Sequence, residues 1–167
     1  MTDTVNILSD IRDIFSLLHD GTTSTCTGDK NLLNLKVNCE YLAERIDKSF
    51  DSFYVECGQI DKIEFHPWMN PADVPQTLLT DIKDIFKAEL EILSADIEND
   101  YIKISCNQHD TDFDYCGGML LLSCRTIKIF DQEKRQISID KFGDICKDYW
   151  DCFSQKVEQG LIDKKKH

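Results

Sequence analysis

Residues 101–153 read YIKISCNQHDTDFDYCGGMLLLSCRTIKIFDQEKRQISIDKFGDICKDYWDCF, and we derive the predicted fold from them. Apolar and polar residues alternate over 101–106, as they do in a half-buried strand. An acidic loop at 109–115 precedes the most apolar run of the chain, 119–130, and a polar turn then leads into a short alternating segment at 136–139. These segments predict three consecutive strands.

An amphipathic helix closes this stretch. Asp140 is in position to cap the helix, and Gly160 ends it. Its apolar residues recur at helical spacing, and they are Phe142, Ile145, Cys146, Tyr149, Cys152 and Phe153. The three strands and this helix are expected to form the core of an α+β domain.

The residues before this stretch add three helices and a hairpin to the prediction. Apolar residues at spacings of three and four predict helices over 4–19 and 29–48. A change to strict alternation then predicts a hairpin from the segments 53–57 and 62–65. The clearest apolar stripe of the chain predicts a helix over 75–98.

The predicted order of elements is therefore α-α-β-β-α-β-β-β-α, with an antiparallel sheet of about five strands flanked by four helices. At 167 residues the chain has the length of about one domain. We assign residues 1–163 to a single α+β domain. Residues 164–167, which begin with three lysines, are predicted to form a basic disordered tail.

Acidic residues dominate the charge of the chain. It contains 31 Asp and Glu against 19 Lys and Arg, which gives a formal net charge of −12. Such a surface repels nucleic acid and anionic lipid and attracts basic partners. No basic patch with interleaved aromatic residues stands out, and no apolar run approaches the ~18 residues of a membrane span. We therefore predict a basic protein partner and no binding of nucleic acid or membranes.

Eight cysteines bear on the redox state of the protein. None of them forms a Cys-x-x-Cys pair, and the N-terminus lacks the basic start and apolar run of an export signal. We therefore predict reduced thiols and a cytoplasmic location.

Some of these cysteines are candidates for metal binding or thiol catalysis. Cys106, His109, Cys116 and Cys124 offer the ligand types of a zinc site, but only Cys106 and His109 have a usable spacing. Cys116 could act as a nucleophile if His66 or His109 served as its base. A thiol or zinc enzyme centred on Cys106, His109 and Cys116 therefore stays open as an alternative.

The alternating aspartates Asp110, Asp112 and Asp114 resemble the start of a calcium-binding EF-hand loop. Tyr115, however, stands where that loop requires glycine, and Leu121 stands where it requires a bidentate glutamate. We therefore reject the EF-hand interpretation and keep a weak divalent-ion site as an alternative. Our prediction is no metal and no other cofactor.

The acidic loop is instead the predicted site of partner binding. Its carboxylates alternate with aromatic side chains, a combination that suits docking on a basic protein. The carboxylates steer the approach and pair with Lys or Arg, while a ring supplies a desolvated anchor. The predicted partner-binding residues are Asp110, Asp112, Phe113, Asp114, Tyr115 and, from a proline-rich loop, Trp68. The alternative is that Phe113 packs into the core and the aspartates are merely solvated.

In its size, acidity, α+β order and lack of a catalytic motif, the chain resembles in type the immunity proteins that bacteria pair with secreted or contact-delivered toxins. The resemblance rests on these general features and assigns no functional residue. It implies that the protein is no enzyme. It also implies an acidic face that occludes the active site of a basic toxin, of which many are nucleases.

Two further classes of protein remain alternatives beside the thiol or zinc enzyme. A secretion chaperone is also small and acidic, and it holds a client segment as a homodimer. A decoy that mimics nucleic acid would use the same negative potential as an immunity protein.

Overall fold

The computed structural model describes residues 3–160, and the side chains from residue 6 onward. Within these residues it contains four helices and seven strands. In chain order they are α1 (Asp3–Leu17), β1 (Thr22–Gly28), β2 (Leu32–Asn38), α2 (Glu40–Ala43), β3 (Ser52–Met69), α3 (Ile82–Ile85), β4 (Glu91–Glu98), β5 (Tyr101–Asn107), β6 (Tyr115–Phe130), β7 (Gln136–Ile137) and α4 (Ile139–Glu158). The predicted tail at 164–167 lies outside the described residues.

All of these strands belong to one antiparallel sheet, in the order β3-β2-β1-β4-β5-β6-β7. The long strands β3 and β6 also pair with each other, along a ladder that runs from Tyr54 opposite Phe130 to Met69 opposite Tyr115. This extra pairing joins the two ends of the order β3-β2-β1-β4-β5-β6, so that six strands close into a ring. The pairing between β1 and β4 is the shortest of the strand pairings that form the ring. Closure reduces the number of free strand edges that another chain could pair with.

The predicted α+β class, single antiparallel sheet and four helices are confirmed. The predicted number of about five strands is wrong, because the sheet has seven. The predicted helix over 4–19 corresponds to α1, and the helix that ends near Gly160 corresponds to α4. The three strands predicted within 101–139 correspond to β5, β6 and the two-residue strand β7.

The predicted helix over 29–48 is wrong. Most of its first half forms β2, the residues just before it form β1, and only the four residues of α2 are α-helical. Leu33, Leu35 and Val37 are all buried in β2, so a period of two governs this segment. Leu32 fits helical spacing with Leu35, but it is 45% exposed.

The predicted helix over 75–98 is wrong as well. Only α3 is helical there, and the last eight residues form β4. A bulge that follows Ile92 explains the misleading pattern, because it leads the strand to bury Ile92 and Ala95, which are three residues apart. Leu93 and Ile97, which belong to the predicted helical stripe, are instead exposed.

The predicted hairpin of 53–57 and 62–65 is one continuous strand, β3. Gly58 does not turn the chain back, because it stays paired with both β2 and β6. A register shift between Ile60 and Lys62 interrupts the ladder without ending the strand. This bulge replaces the turn that the glycine suggested.

The helices cover the buried face of the sheet. α1 contacts β4, β5 and β6, and its buried side chains are Leu8, Ile11, Ile14, Phe15 and Leu18. Burying each of these side chains contributes about 1.5–3 kcal/mol relative to leaving it in water. Ser138, and not the predicted Asp140, caps α4, since its Oγ accepts a hydrogen bond of 3.1 Å from the backbone N–H of Lys141. No helix within 3–160 combines the length and apolar character needed to cross a membrane.

Two glycines give a test of how tightly the ladder is packed. Gly118 lies in β6 between β3 and β5, and a Cβ atom there would lie 2.6 Å from the backbone oxygen of His66 and from the ring of Phe65. We expect Gly118→Ala to lower the free energy of unfolding by about 2 kcal/mol, because overpacking costs 1–3 kcal/mol. Urea denaturation monitored by circular dichroism measures this change.

The control is Gly143→Ala in α4, where a Cβ atom would meet nothing within 4 Å. Alanine is the better helix former, so we expect this variant to be about 0.5–1 kcal/mol more stable than wild type. Equal stabilities of the two variants would contradict the close approach of strands at Gly118.

Candidate protein-binding site

The acidic loop joins β5 to β6 at one end of the β3–β6 ladder. Met69 lies opposite Tyr115 in the ladder, and the backbone N–H of Asn70 donates to the carbonyl oxygen of Asp114 at 2.8 Å. The end of β3, which carries Trp68, is therefore fastened to the loop. The structure thus brings together all six residues of the predicted site, which come from two distant parts of the chain.

Gln108, which no sequence pattern singles out, holds the loop through hydrogen bonds of its buried side chain. It is 4% exposed, and its side-chain N–H₂ group donates to the carbonyl oxygens of Asp110 at 2.8 Å and Tyr115 at 2.9 Å. Its side-chain oxygen accepts from the backbone N–H of Asp110. A buried amide with all its polar atoms bonded stabilises this conformation of the loop.

Asp110, Asp112 and Asp114 are exposed on the outside of this loop. The backbone N–H of Asp112 donates to Oδ1 of Asp110 at 2.9 Å, which stabilises the turn. Within residues 3–160, none of the three carboxylates pairs with a basic side chain. The neighbouring His109 is bound instead to Glu91, with 2.6 Å between Nε2 and Oε2. The loop therefore presents three negative charges that these residues leave uncompensated.

The aromatic residues of the site divide into two groups. Phe113 and Tyr115 are half-buried and pack against the core, with their ring centroids 5.4 Å apart. Tyr115 also lies 5.7 Å from the ring of Phe65, and burial raises the pKa of its hydroxyl. Trp68 is 37% exposed and packs against Gly117, where a Cβ atom would lie only 3.0 Å from its ring. Phe113 and Tyr115 therefore brace the loop, while Trp68 is the ring that a partner can reach.

The thiols of the alternative site lie in different environments. Cys106 is buried beside the carbonyl oxygen of Ile104, and burial raises its pKa to about 12. Such a thiol is a poor nucleophile, because only the thiolate reacts. Cys116 is exposed, and its Sγ lies 3.6 Å from the carbonyl oxygen of Trp68. In the part of the chain that the structure describes, no group of three or more His, Cys, Asp or Glu side chains is arranged to hold a metal ion.

The geometry of this end of the ladder supports recognition by charge and by one exposed ring. Comparison of the chain with protein-family models, with curated proteins and with solved structures finds no match.

Proposed function

We propose that this protein binds a basic protein and neutralises it, as an immunity protein occludes the active site of its toxin. One observation carries the proposal. Three exposed aspartates that pair with no basic side chain within residues 3–160 lie on a loop that the buried Gln108 holds in place, and this loop is bonded to the end of the strand that carries the exposed ring of Trp68.

The negative charges of this surface speed its association with a cationic partner. Negative charges on an exposed loop raise the local concentration of a cationic partner and increase association rate constants by about 10- to 1,000-fold. Each carboxylate then offers two oxygens to an Arg or Lys of the partner. A nuclease is the class of toxin that fits best, because an active site that binds phosphates is basic.

The ordered loop and the Trp68 ring raise the affinity for the partner. Loop residues that are already fixed lose little conformational entropy on binding, and this raises affinity without new contacts. Trp68 adds a large apolar surface next to the charges, and tryptophan is enriched among residues that dominate binding energy. Inhibition by occlusion needs no bond-making by the protein itself, and it takes place in the cytoplasm, where the toxin acts.

The decisive experiment uses the basic C-terminal domain of a toxin encoded next to the gene of this protein. Cells that express this domain alone are expected to stop growing, and co-expression of the wild-type protein is expected to restore growth. A toxic domain that neither binds the protein nor loses its toxicity would refute the proposal.

Neutralising the loop is expected to slow association. The triple variant Asp110→Asn, Asp112→Asn, Asp114→Asn removes three charges at the site, and we expect about a tenfold lower association rate constant at 20 mM salt. The difference should nearly vanish at 0.5 M salt, because screening suppresses steering. Stopped-flow fluorescence with the toxin domain measures both rates.

The matched control removes the same charge elsewhere. Asp96, Asp144 and Asp151 are exposed and lie outside the loop. Their triple substitution by asparagine should change the association rate constant less than twofold. Equal slowing by both triple variants would show that net charge acts without a defined site.

A further inference from the structure

The outer face of the sheet carries a second feature, at the opposite end of the β3–β6 ladder from the acidic loop. There β1, β2, β3 and β6 form a concavity of about 490 Å³. Tyr54 and Phe130 lie opposite each other in the ladder, line this concavity, and are both half-exposed. Threonine and asparagine side chains of β1 and β2 line its far side. The volume falls in the range of sites for small molecules, which is about 300–1,000 Å³.

Lysines give this concavity a charge opposite to that of the whole protein. Lys36 lines it directly beside Tyr54 in the ladder, and the ammonium group of Lys134 lies 4.9 Å from the centre of the Tyr54 ring. Glu56 is the carboxylate in the lining, and Lys128 lies opposite it across the ladder. Within residues 3–160, none of these lysines forms an ion pair with a carboxylate.

The position of Lys134 is set by the turn that follows β6. Lys134 has a positive φ of 63°, and its backbone N–H donates to the carbonyl oxygen of Asp131 at 2.9 Å. The same turn contains Arg135, whose guanidinium group forms ion pairs with Asp131 and Glu133. Arg135 therefore has its partners within the turn, whereas Lys134 extends over an aromatic ring and keeps its charge available.

We propose that this concavity binds a small planar anion, that is, an aromatic or heteroaromatic ring that carries a carboxylate or a phosphate. The ring would pack against Phe130, and the anionic group would lie between Lys36 and Lys134, which stays over the Tyr54 ring. Two observations select this class of ligand: the two half-exposed rings of Tyr54 and Phe130 in the lining, and lysines that form no ion pair within residues 3–160 on a protein whose net charge is −12. The proposal is independent of toxin binding, because the two sites lie at opposite ends of the ladder.

The test uses 2-naphthoate as the probe, with the full chain labelled with ¹⁵N. We expect saturable chemical-shift changes confined to amides around Lys36, Tyr54 and Phe130, with a dissociation constant of about 1 mM or tighter. The neutral analogue 2-naphthylmethanol and the non-planar anion cyclohexanecarboxylate are each expected to bind at least fivefold more weakly. Equal binding of either analogue, or shifts scattered over the protein, would overturn the proposal.

Variants assign the effect to the two lysines. The double variant Lys36→Gln, Lys134→Gln is expected to weaken 2-naphthoate binding at least tenfold. The control is Lys62→Gln, because Lys62 also lies over a tyrosine, 4.7 Å from the centre of the Tyr101 ring, and does not line the concavity. It should leave the dissociation constant unchanged. A double variant that binds as wild type does would overturn the proposal.

Light scattering over the same concentration range tests whether a second copy of the chain, and not a small anion, occupies the concavity. Binding that weakens as the protein concentration rises, together with a doubled mass, would show that a second copy of the chain fills the concavity. That result would overturn the proposal, and a monomer with constant affinity would support it.

Discussion

Replacing Phe142 by alanine is expected to lower the free energy of unfolding by about 4 kcal/mol, because truncating a buried phenylalanine costs 3–5 kcal/mol. Phe142 is fully buried near the start of α4, and its ring meets that of Phe53 in β3 edge-on, with 5.1 Å between centroids. Phe142 and Cys146 are the buried residues of α4. Phe142 therefore makes the most deeply buried ring contact of this twenty-residue helix, while Tyr149 and Trp150 pack farther along it against Tyr41 and His19.

Urea denaturation followed by circular dichroism measures the loss. Ile145→Ala on the same helix is the control, because Ile145 is only half-buried, and we expect it to cost about 1 kcal/mol. Hydrogen exchange adds a local readout, since the amides of α4 should lose protection in the Phe142→Ala variant even under native conditions. Equal losses in the two variants would contradict the view that Phe142 anchors the helix.

The limited burial of α4 also shows where sequence periodicity is informative. The apolar stripe correctly predicts a helix, because a helix docked on a core by one side requires that spacing. It overstates burial, however, since Tyr149 and Phe153 contact other rings near the surface and are only half-buried. Periodicity therefore identifies the side of the helix that faces the protein, but not how far along the helix the core extends.

The two wrong helices have separate physical causes. In β2, Leu32 and Leu35 are three apart and Leu33, Leu35 and Val37 are two apart, so both periods fit a seven-residue segment. In β4, the bulge after Ile92 changes which residues face the core, and the resulting spacing of three imitates a helix. A bulge depends on the pairing with the next strand, so a reading of local sequence alone cannot detect it.

The same limit applies to the sites. The sequence predicts Trp68 and the acidic loop separately, but the long ladder between β3 and β6 is what brings the end of β3, which carries Trp68, to the loop. It does not predict the role of Gln108, because a glutamine between polar residues has no distinguishing pattern. The concavity also cannot be predicted from any one segment of the sequence, since Lys36, Tyr54 and Lys134 come from three segments that only the sheet brings together.

The turn between β6 and β7 connects the fold to the proposed anion site. Asp131 is 4% exposed, and its Oδ1 accepts hydrogen bonds from the backbone N–H groups of Glu133 at 2.9 Å and Arg135 at 3.0 Å. Its Oδ2 accepts from Nε of Arg135 at 2.8 Å. One carboxylate thus organises the turn that presents Lys134 and leads into β7.

Replacing Asp131 by alanine is expected to lower the free energy of unfolding by about 3 kcal/mol at pH 7, because hydrogen bonds to a charged group contribute about 1.5–3 kcal/mol each and partly substitute for one another. The control is Asp29→Ala, which removes an exposed carboxylate that accepts from the backbone N–H groups of Asn31 and Leu32. We expect this control to cost less than 1 kcal/mol, and urea denaturation measures both variants.

The effect of pH provides an independent check on Asp131. Burial opposes ionisation of its carboxyl group, but the hydrogen bonds from the backbone and guanidinium of Arg135 outweigh burial and lower its pKa. The folded protein therefore binds a proton at this site less readily than the unfolded chain, whose aspartates have a pKa of about 3.9. The resulting stabilisation is fully present above that unfolded value, and it is lost as the pH falls through the lowered folded value. The stability difference between wild type and Asp131→Ala should consequently shrink below about pH 4, and a difference that stays constant down to pH 2 would contradict an ionised Asp131 as the centre of this turn.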